Sequence, residues 1–211
     1  VIGVDIDPEM VSLAKKRYQL PNLNFMPGDI AKPIVPNSSV DAIFNSSVLH
    51  HVTSFNEYNY EAAKIALKNQ SAQLREHGIL MVRDFVAPEN PEQLILLDLP
   101  DSDGQQEGPA PQLSTSALFR RFAKEFKALS SKPGFEYSEK HPSQTFKSGT
   151  IFQVTQRHAV EFILRKDYRS SWQNEINEEY TYFTQSEFES LFFSLGFRVL
   201  ASTPIRNPWI I

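Results

Sequence analysis

Val1-Ile-Gly-Val-Asp5-Ile-Asp7-Pro-Glu-Met10 decides the fold. Four small or apolar residues read as a short buried strand, and Asp5 ends it. Asp7, Pro8 and Glu9 then supply a cap, a proline at the first helical position and an acid in the first turn. The helix they start carries Met10, Leu13, Ala14 and Tyr18 as an apolar stripe. Lys15, Lys16 and Arg17 fall near its end, where the helix dipole favours cations.

The same alternation continues outward. Leu23–Met26 reads as a second strand, broken by Pro27-Gly28, and Val40–Phe44 as a third after a proline-punctuated loop. A helix is expected over Tyr58–Arg75, stopped by His77-Gly78, with Ile79–Val86 as a fourth strand. Strand and helix alternating in this way predict an α/β fold with a mostly parallel sheet and helices on both faces.

Past Pro88 the pattern breaks. Glu89, Glu92, Asp98, Asp101, Asp103 and Glu107 occur before Phe119 without a single Lys or Arg. Arg120, Arg121, Lys124, Lys127, Lys132, Lys140 and Lys147 then reverse the sign. Leu118, Phe119, Phe122 and Phe126 have helical spacing, and a further helix is expected over Gln153–Tyr168. Thr184 and Glu187 form a capping-box pattern, so Gln185–Leu195 reads as a helix closed by Gly196, and Phe197–Ser202 as a strand. The chain therefore divides into a core at 1–87, an insertion or cap at 88–183, and a C-terminal helix with strands at 184–211 completing the core. A stretch as long as Pro88–Phe183 exceeds a loop and reads as a mainly helical insertion shaping a substrate site.

Composition narrows the classes. The 211 residues are 41% hydrophobic, with 16 Phe and no Cys. That excludes a disordered chain, a disulfide framework, a thiolate metal site and a Cys nucleophile. The longest apolar runs fall far short of a membrane span. A net charge of −4 and a short, mixed basic stretch argue against a nucleic-acid partner. A cytoplasmic location is expected.

Three sites carry chemistry. Asp5, at the carboxyl end of a parallel strand, lies where open α/β sheets bind ligands; its carboxylate can grip both hydroxyls of a ribose, and Ile6 can pack on an adenine face. The competing reading is a local cap, which suits Asp7 better. Asp29, after Pro27-Gly28, can reach the exocyclic amine of adenine while the Ile30 N–H donates to a ring nitrogen; the competing reading is an ordinary turn Asp. Asp5 and Asp29 are 24 residues apart and fall on one sheet edge. In the third, Val40–Phe44 runs into Asn45-Ser46-Ser47 and then His50-His51, which can line a ligand's charged centre. Neighbouring His residues on one turn point in different directions, so no metal site is expected, and His51 reads as either a packing residue or a general base. His141 and His158 are further candidates for that base.

These residues together resemble the class I S-adenosylmethionine-dependent methyltransferases. Val1-Ile-Gly-Val-Asp-Ile-Asp, Gly28-Asp-Ile, Asp41-Ala-Ile-Phe-Asn-Ser-Ser-Val-Leu-His-His-Val52 and His77-Gly-Ile-Leu-Met-Val-Arg-Asp84 carry the resemblance, and Phe183–Leu200 extends it. It implies a Rossmann-like fold whose large insertion follows the family's fifth strand. It implies S-adenosylmethionine as cofactor, with Asp5 on the ribose, Ile6 on adenine, Asp29 and Ile30 on the adenine edge, and Asn45 and Ser46 on the methionine side. The acceptor implied is a small molecule, methylated at O, N or C. The family's first strand and glycine-rich loop would precede Val1, so the sequence reads as part of a longer chain, with other domains of it as partners. A non-catalytic methyltransferase-like module and a nicotinamide-dependent oxidoreductase are the competing classes. Trp172, Tyr180 and Tyr182 form either an aromatic substrate wall or ordinary packing.

Overall fold

The computed structural model describes residues 1–140 and 149–205. They form two compact units, Val1–Asp84 and Phe85–Ile211.

In the first unit, β1 (Ile2–Asp5), α1 (Pro8–Arg17) and β2 (Asn24–Pro27) make a parallel strand–helix–strand unit, with Ile2 opposite Asn24 and Asp5 opposite Pro27. α1 starts as its sequence requires: the Asp7 carboxylate accepts the Glu9 N–H at 2.7 Å. Its apolar stripe differs from expectation. Met10, Leu13 and Tyr18 are exposed, whereas Val11 is buried and Ala14 half-buried, because the pair three residues apart is the one facing inward. Gly3 has a packing reason, since a β-carbon there would lie 2.6 Å from the Phe25 ring.

A second parallel pair joins β3 (Val40–Ser46) to β4 (Leu74–Arg83), across α2 (Leu49–Ser54) and α3 (Tyr60–Gln73). The helix expected over Tyr58–Arg75 is shorter at both ends. Asn59 caps it by accepting the Glu61 N–H, and the chain turns extended at Leu74. His77-Gly78 therefore lies inside a strand instead of stopping a helix. The register jumps there from Val40↔Leu74 to Ala42↔Ile79, and His77 takes a φ of 64°. The segment after β2 is strapped to α3: Gln73 Oε1 accepts the Ile34 and Val35 N–H groups, and Asn69 Nδ2 donates to the Ala31 carbonyl. The four parallel strands expected in one sheet thus occupy two parallel pairs among the described residues.

In the second unit, β5 (Leu94–Pro100), β6 (Ser138–Lys140) and β7 (Gly149–Thr155) form an antiparallel sheet in the order β5-β7-β6. The insertion is thus helical only in part. Its β-branched and aromatic alternation at Thr150-Ile-Phe-Gln-Val-Thr155 suits a pleated, half-buried strand. The helix expected from Gln153 accordingly begins later, as α5 (Gln156–Arg165), capped by Thr155. α4 (Thr115–Glu125) buries Leu118, Phe119 and Phe122 completely, and Phe126 just beyond it, against Phe152 and Phe162. After the short α6 (Trp172–Glu175), α7 (Gln185–Ser194) carries the complete capping box of Thr184 and Glu187. Gly196 follows at φ 84°, as a helix end favours. Phe197–Leu200 alternates in exposure like a strand, yet pairs with no partner among the described residues. His141, Lys147 and the segment from Arg206 onward lie outside the described residues.

Candidate functional site

Every proposed cofactor residue lies in the first unit, at the carboxyl ends of its parallel strands. β1 and β2 end together, and the Gly28 N–H donates to the Asp5 carbonyl at 2.9 Å. This places Asp5 at the last position of β1 and Asp29 just past the end of β2, on one edge. Asp5 Oδ1 accepts the Asp7 N–H at 2.9 Å, a local turn that leaves Oδ2 with no protein partner among the described residues. Ile6 beside it is 72% exposed, a branched apolar side chain turned to solvent. Asp29 Oδ1 accepts the Ala31 N–H at 2.9 Å and Oδ2 meets Lys32 Nζ at 3.2 Å, while Ile30 is half-buried. Both acids thus make the local turn bonds that the competing readings foresaw. A carboxylate has lone pairs enough for a turn bond and a ligand together.

At the ends of β3 and β4 the arrangement differs from a simple ligand-facing set. Asn45 is buried, and its side-chain amide is paired both ways with Gln70 of α3, at 2.7 and 3.1 Å. What remains for a ligand there is backbone, not the Asn45 side chain. Ser46 Oγ accepts a long 3.3 Å bond from Arg83. Ser47 turns left-handed at φ 51°, with its N–H donating to the Arg83 carbonyl at 2.7 Å. That turn delivers the chain into α2.

Asp84, which the sequence reading passed over, organises the site. Its Oδ2 accepts the Val48 and Leu49 N–H groups at 3.1 and 2.8 Å, capping α2, whose first residues offer no side-chain cap of their own. Its Oδ1 lies 2.7 Å from His50 Nδ1, with both side chains shielded from solvent. An ionised carboxylate only accepts, so the ring proton sits on Nδ1. His51, the residue singled out as base, is half-buried and packs edge-on to His50 at 4.3 Å and to Phe55 at 5.7 Å. The signal that could have found Asp84 is its place: an acid directly after an apolar strand, on the same edge as Ser46.

The other candidates serve packing. His158 stacks on Phe135 at 4.0 Å and accepts or donates at Nδ1 with Thr155 Oγ1, 2.8 Å away. Burial, with the charges of Arg157 and Lys127, pushes its pKa down to about 4, so it is neutral near pH 7. Trp172, Tyr180 and Tyr182 are all buried, which favours packing over a substrate wall. Burial, reinforced by the Glu175 carboxylate that the Tyr180 hydroxyl meets, raises the Tyr180 pKa. Several of the basic side chains are spoken for, as with Arg120 on Glu139, Arg121 on Glu125 and Lys127 on Glu179. The hydrogen bond from Arg120 holds Glu139 below the ordinary carboxylate range.

Residues 1–82 match the family model described as a methyltransferase domain. A phthiotriol/phenolphthiotriol dimycocerosates methyltransferase of Mycobacterium leprae is 32% identical over 63 residues, which span 30% of this chain and 23% of that protein. The chain thus spans about a quarter of the length of that curated relative. Among solved structures, the YcgJ protein of Bacillus subtilis is 28% identical over 43% of this chain and 36% of its own, at a TM-score of 0.36. An S-adenosylmethionine-dependent methyltransferase from Mesorhizobium loti is 14% identical, covering 72% of this chain and 78% of its own, at a TM-score of 0.37.

Proposed function

From the match of residues 1–82 to the methyltransferase-domain model, we propose that the protein binds S-adenosylmethionine and methylates an O, N or C atom of a small-molecule acceptor. The observation that carries this reading is the placement of Asp5 and Asp29 at one edge of β1 and β2.

In this reading Asp5 accepts the ribose hydroxyls through Oδ2, Ile6 covers an adenine face, and Asp29 and the Ile30 N–H read the adenine edge. Asn45 and Ser46 serve the methionine side through backbone. The donor set suits the nucleoside half well: an acceptor-only carboxylate meets a diol, and an exposed branched side chain meets an aromatic plane. When bound, the cofactor supplies an electrophilic methyl group on a sulfonium. What the chain must add is positioning and exclusion of water, with at most one proton acceptor. His51 holds that role, and Asp84 acts behind it by fixing α2 and the His50 ring.

No helix among the described residues is long and apolar enough to cross a membrane. We place the activity in the cytoplasm.

Titration calorimetry with S-adenosylmethionine and, separately, NAD tests the assignment. Saturable heat with S-adenosylmethionine alone supports it. Heat with NAD alone, or with neither, overturns it.

A further inference from the structure

In the second unit a cleft of about 320 Å³ opens between the turn at Pro109–Pro111, α4 and the start of α6. Two guanidinium groups line it, those of Arg121 and Arg169, and no acidic side chain does. The two are held differently. Arg169 is spent on the scaffold: Nε donates to the Lys166 carbonyl, and its Nη groups to the Leu113 carbonyl and Thr115 Oγ1. Among the described residues no carboxylate touches its guanidinium directly, and Asp103 lies behind it through the Thr115 hydroxyl, within reach of its charge. Arg121 is anchored only by Nε, which meets both Glu125 oxygens at 2.9 Å. Glu125 is itself fixed from behind by the Trp172 indole N–H at 3.0 Å. The two Arg121 Nη groups have no acceptor among the described residues.

Arg169 is thus balanced from behind by Asp103 and Arg121 by Glu125, and Arg121 presents a planar pair of donors whose orientation is already set. Planar guanidinium donors match the geometry of a carboxylate. Ser170, on the rim, offers a hydroxyl that also has no partner among the described residues. Pro109, Ala110 and Pro111 supply an apolar wall that offers no side-chain donor. Concave sites that combine an apolar wall with a few convergent donors are those that take small ligands.

We propose that this cleft binds a small carboxylate bearing an apolar body, the carboxylate meeting the Arg121 Nη groups and the body lying on the Pro109–Pro111 wall. The site is separate from the residues assigned to S-adenosylmethionine, and it stands whether or not that assignment does.

Benzoate is the probe, with benzyl alcohol as its uncharged counterpart. Trp172 lines the cleft, so its fluorescence reports occupancy once Trp209→Phe removes the other tryptophan. Saturable quenching by benzoate is expected, at least tenfold tighter than by benzyl alcohol. Arg121→Met should weaken benzoate at least tenfold, and Ser170→Ala, at an exposed position, two- to threefold. Should Arg121→Met unfold, the benzoate-to-benzyl-alcohol ratio and Ser170→Ala still decide. Equal affinity for the two probes, no saturation by benzoate, or benzoate binding indifferent to both substitutions overturns the proposal.

Discussion

Asp84 Oδ1 lies 2.7 Å from His50 Nδ1, while its other oxygen collects the first N–H groups of α2. One side chain therefore sets both the direction of α2 and the tautomer of a buried imidazole. The carboxylate replaces a cap that the local sequence does not provide. Val48, at the cap position, makes no side-chain hydrogen bond to the helix.

Removing that carboxylate strands several buried donors together. Asp84→Ala should cost about 3 kcal/mol of stability, and Asp84→Asn less, because its amide oxygen still accepts. Denaturant unfolding measures the loss, and the nitrogen chemical shifts of His50 should leave the Nδ1–H pattern in both variants. An unchanged midpoint in Asp84→Ala would show that the helix end is supported elsewhere.

Glu161 and Arg165 form a second buried pair, one turn apart on α5 and closed off from solvent. Glu161 accepts the Tyr180 and Thr181 N–H groups, and Arg165 donates to the Glu175 and Glu178 carbonyls while lying over the Tyr180 ring at 4.4 Å. Arg165→Met should destabilise by about 3–5 kcal/mol, since it leaves a buried carboxylate without its countercharge. Pairing it with Glu161→Leu should cost less than the sum of the two single changes, which a double-mutant cycle measures.

His158 makes the protein acid-sensitive. Its folded pKa of about 4 lies below the 6.5 of an ordinary imidazole, so the unfolded chain binds the proton more readily between those values. Stability is then complete above about pH 6.5 and falls as pH drops toward 4, by on the order of 3 kcal/mol. Thermal melts across that range should show the slope in the parent and a flatter one in His158→Gln.

The capping box at α7 offers a smaller effect. Thr184→Ala removes a side chain that accepts the Glu187 N–H at 3.1 Å, and should cost about 1 kcal/mol by chemical denaturation.

Local signals were the legible part of this chain. The Asp7-Pro8-Glu9 start, the Phe119 and Phe122 stripe and the Thr184–Glu187 box each depend on residues within one or two turns, and each appears as read. What the sequence could not show depends on distant partners. Met10 and Leu13 looked inward by spacing, yet which face of α1 is covered is set by the strands it packs on. Asn45 looked available at a strand end, yet Gln70, 25 residues on, claims its amide. Asp84 fell inside the expected strand Ile79–Val86, and its role rests on His50, 34 residues earlier. Glu161 and Arg165 hid among apolar neighbours because each is paired, and pairing across a fold leaves no periodic trace.

The central claim is that the β1–β2 edge holds the nucleoside half of S-adenosylmethionine. Asp5 is exposed and supports only a local turn, so Asp5→Ala leaves the fold standing and isolates the ligand contact. Calorimetric titration of S-adenosylmethionine into the parent and Asp5→Ala proteins is the direct measurement. The account predicts saturable binding to the parent and an affinity at least tenfold weaker in Asp5→Ala; equal affinities would contradict it.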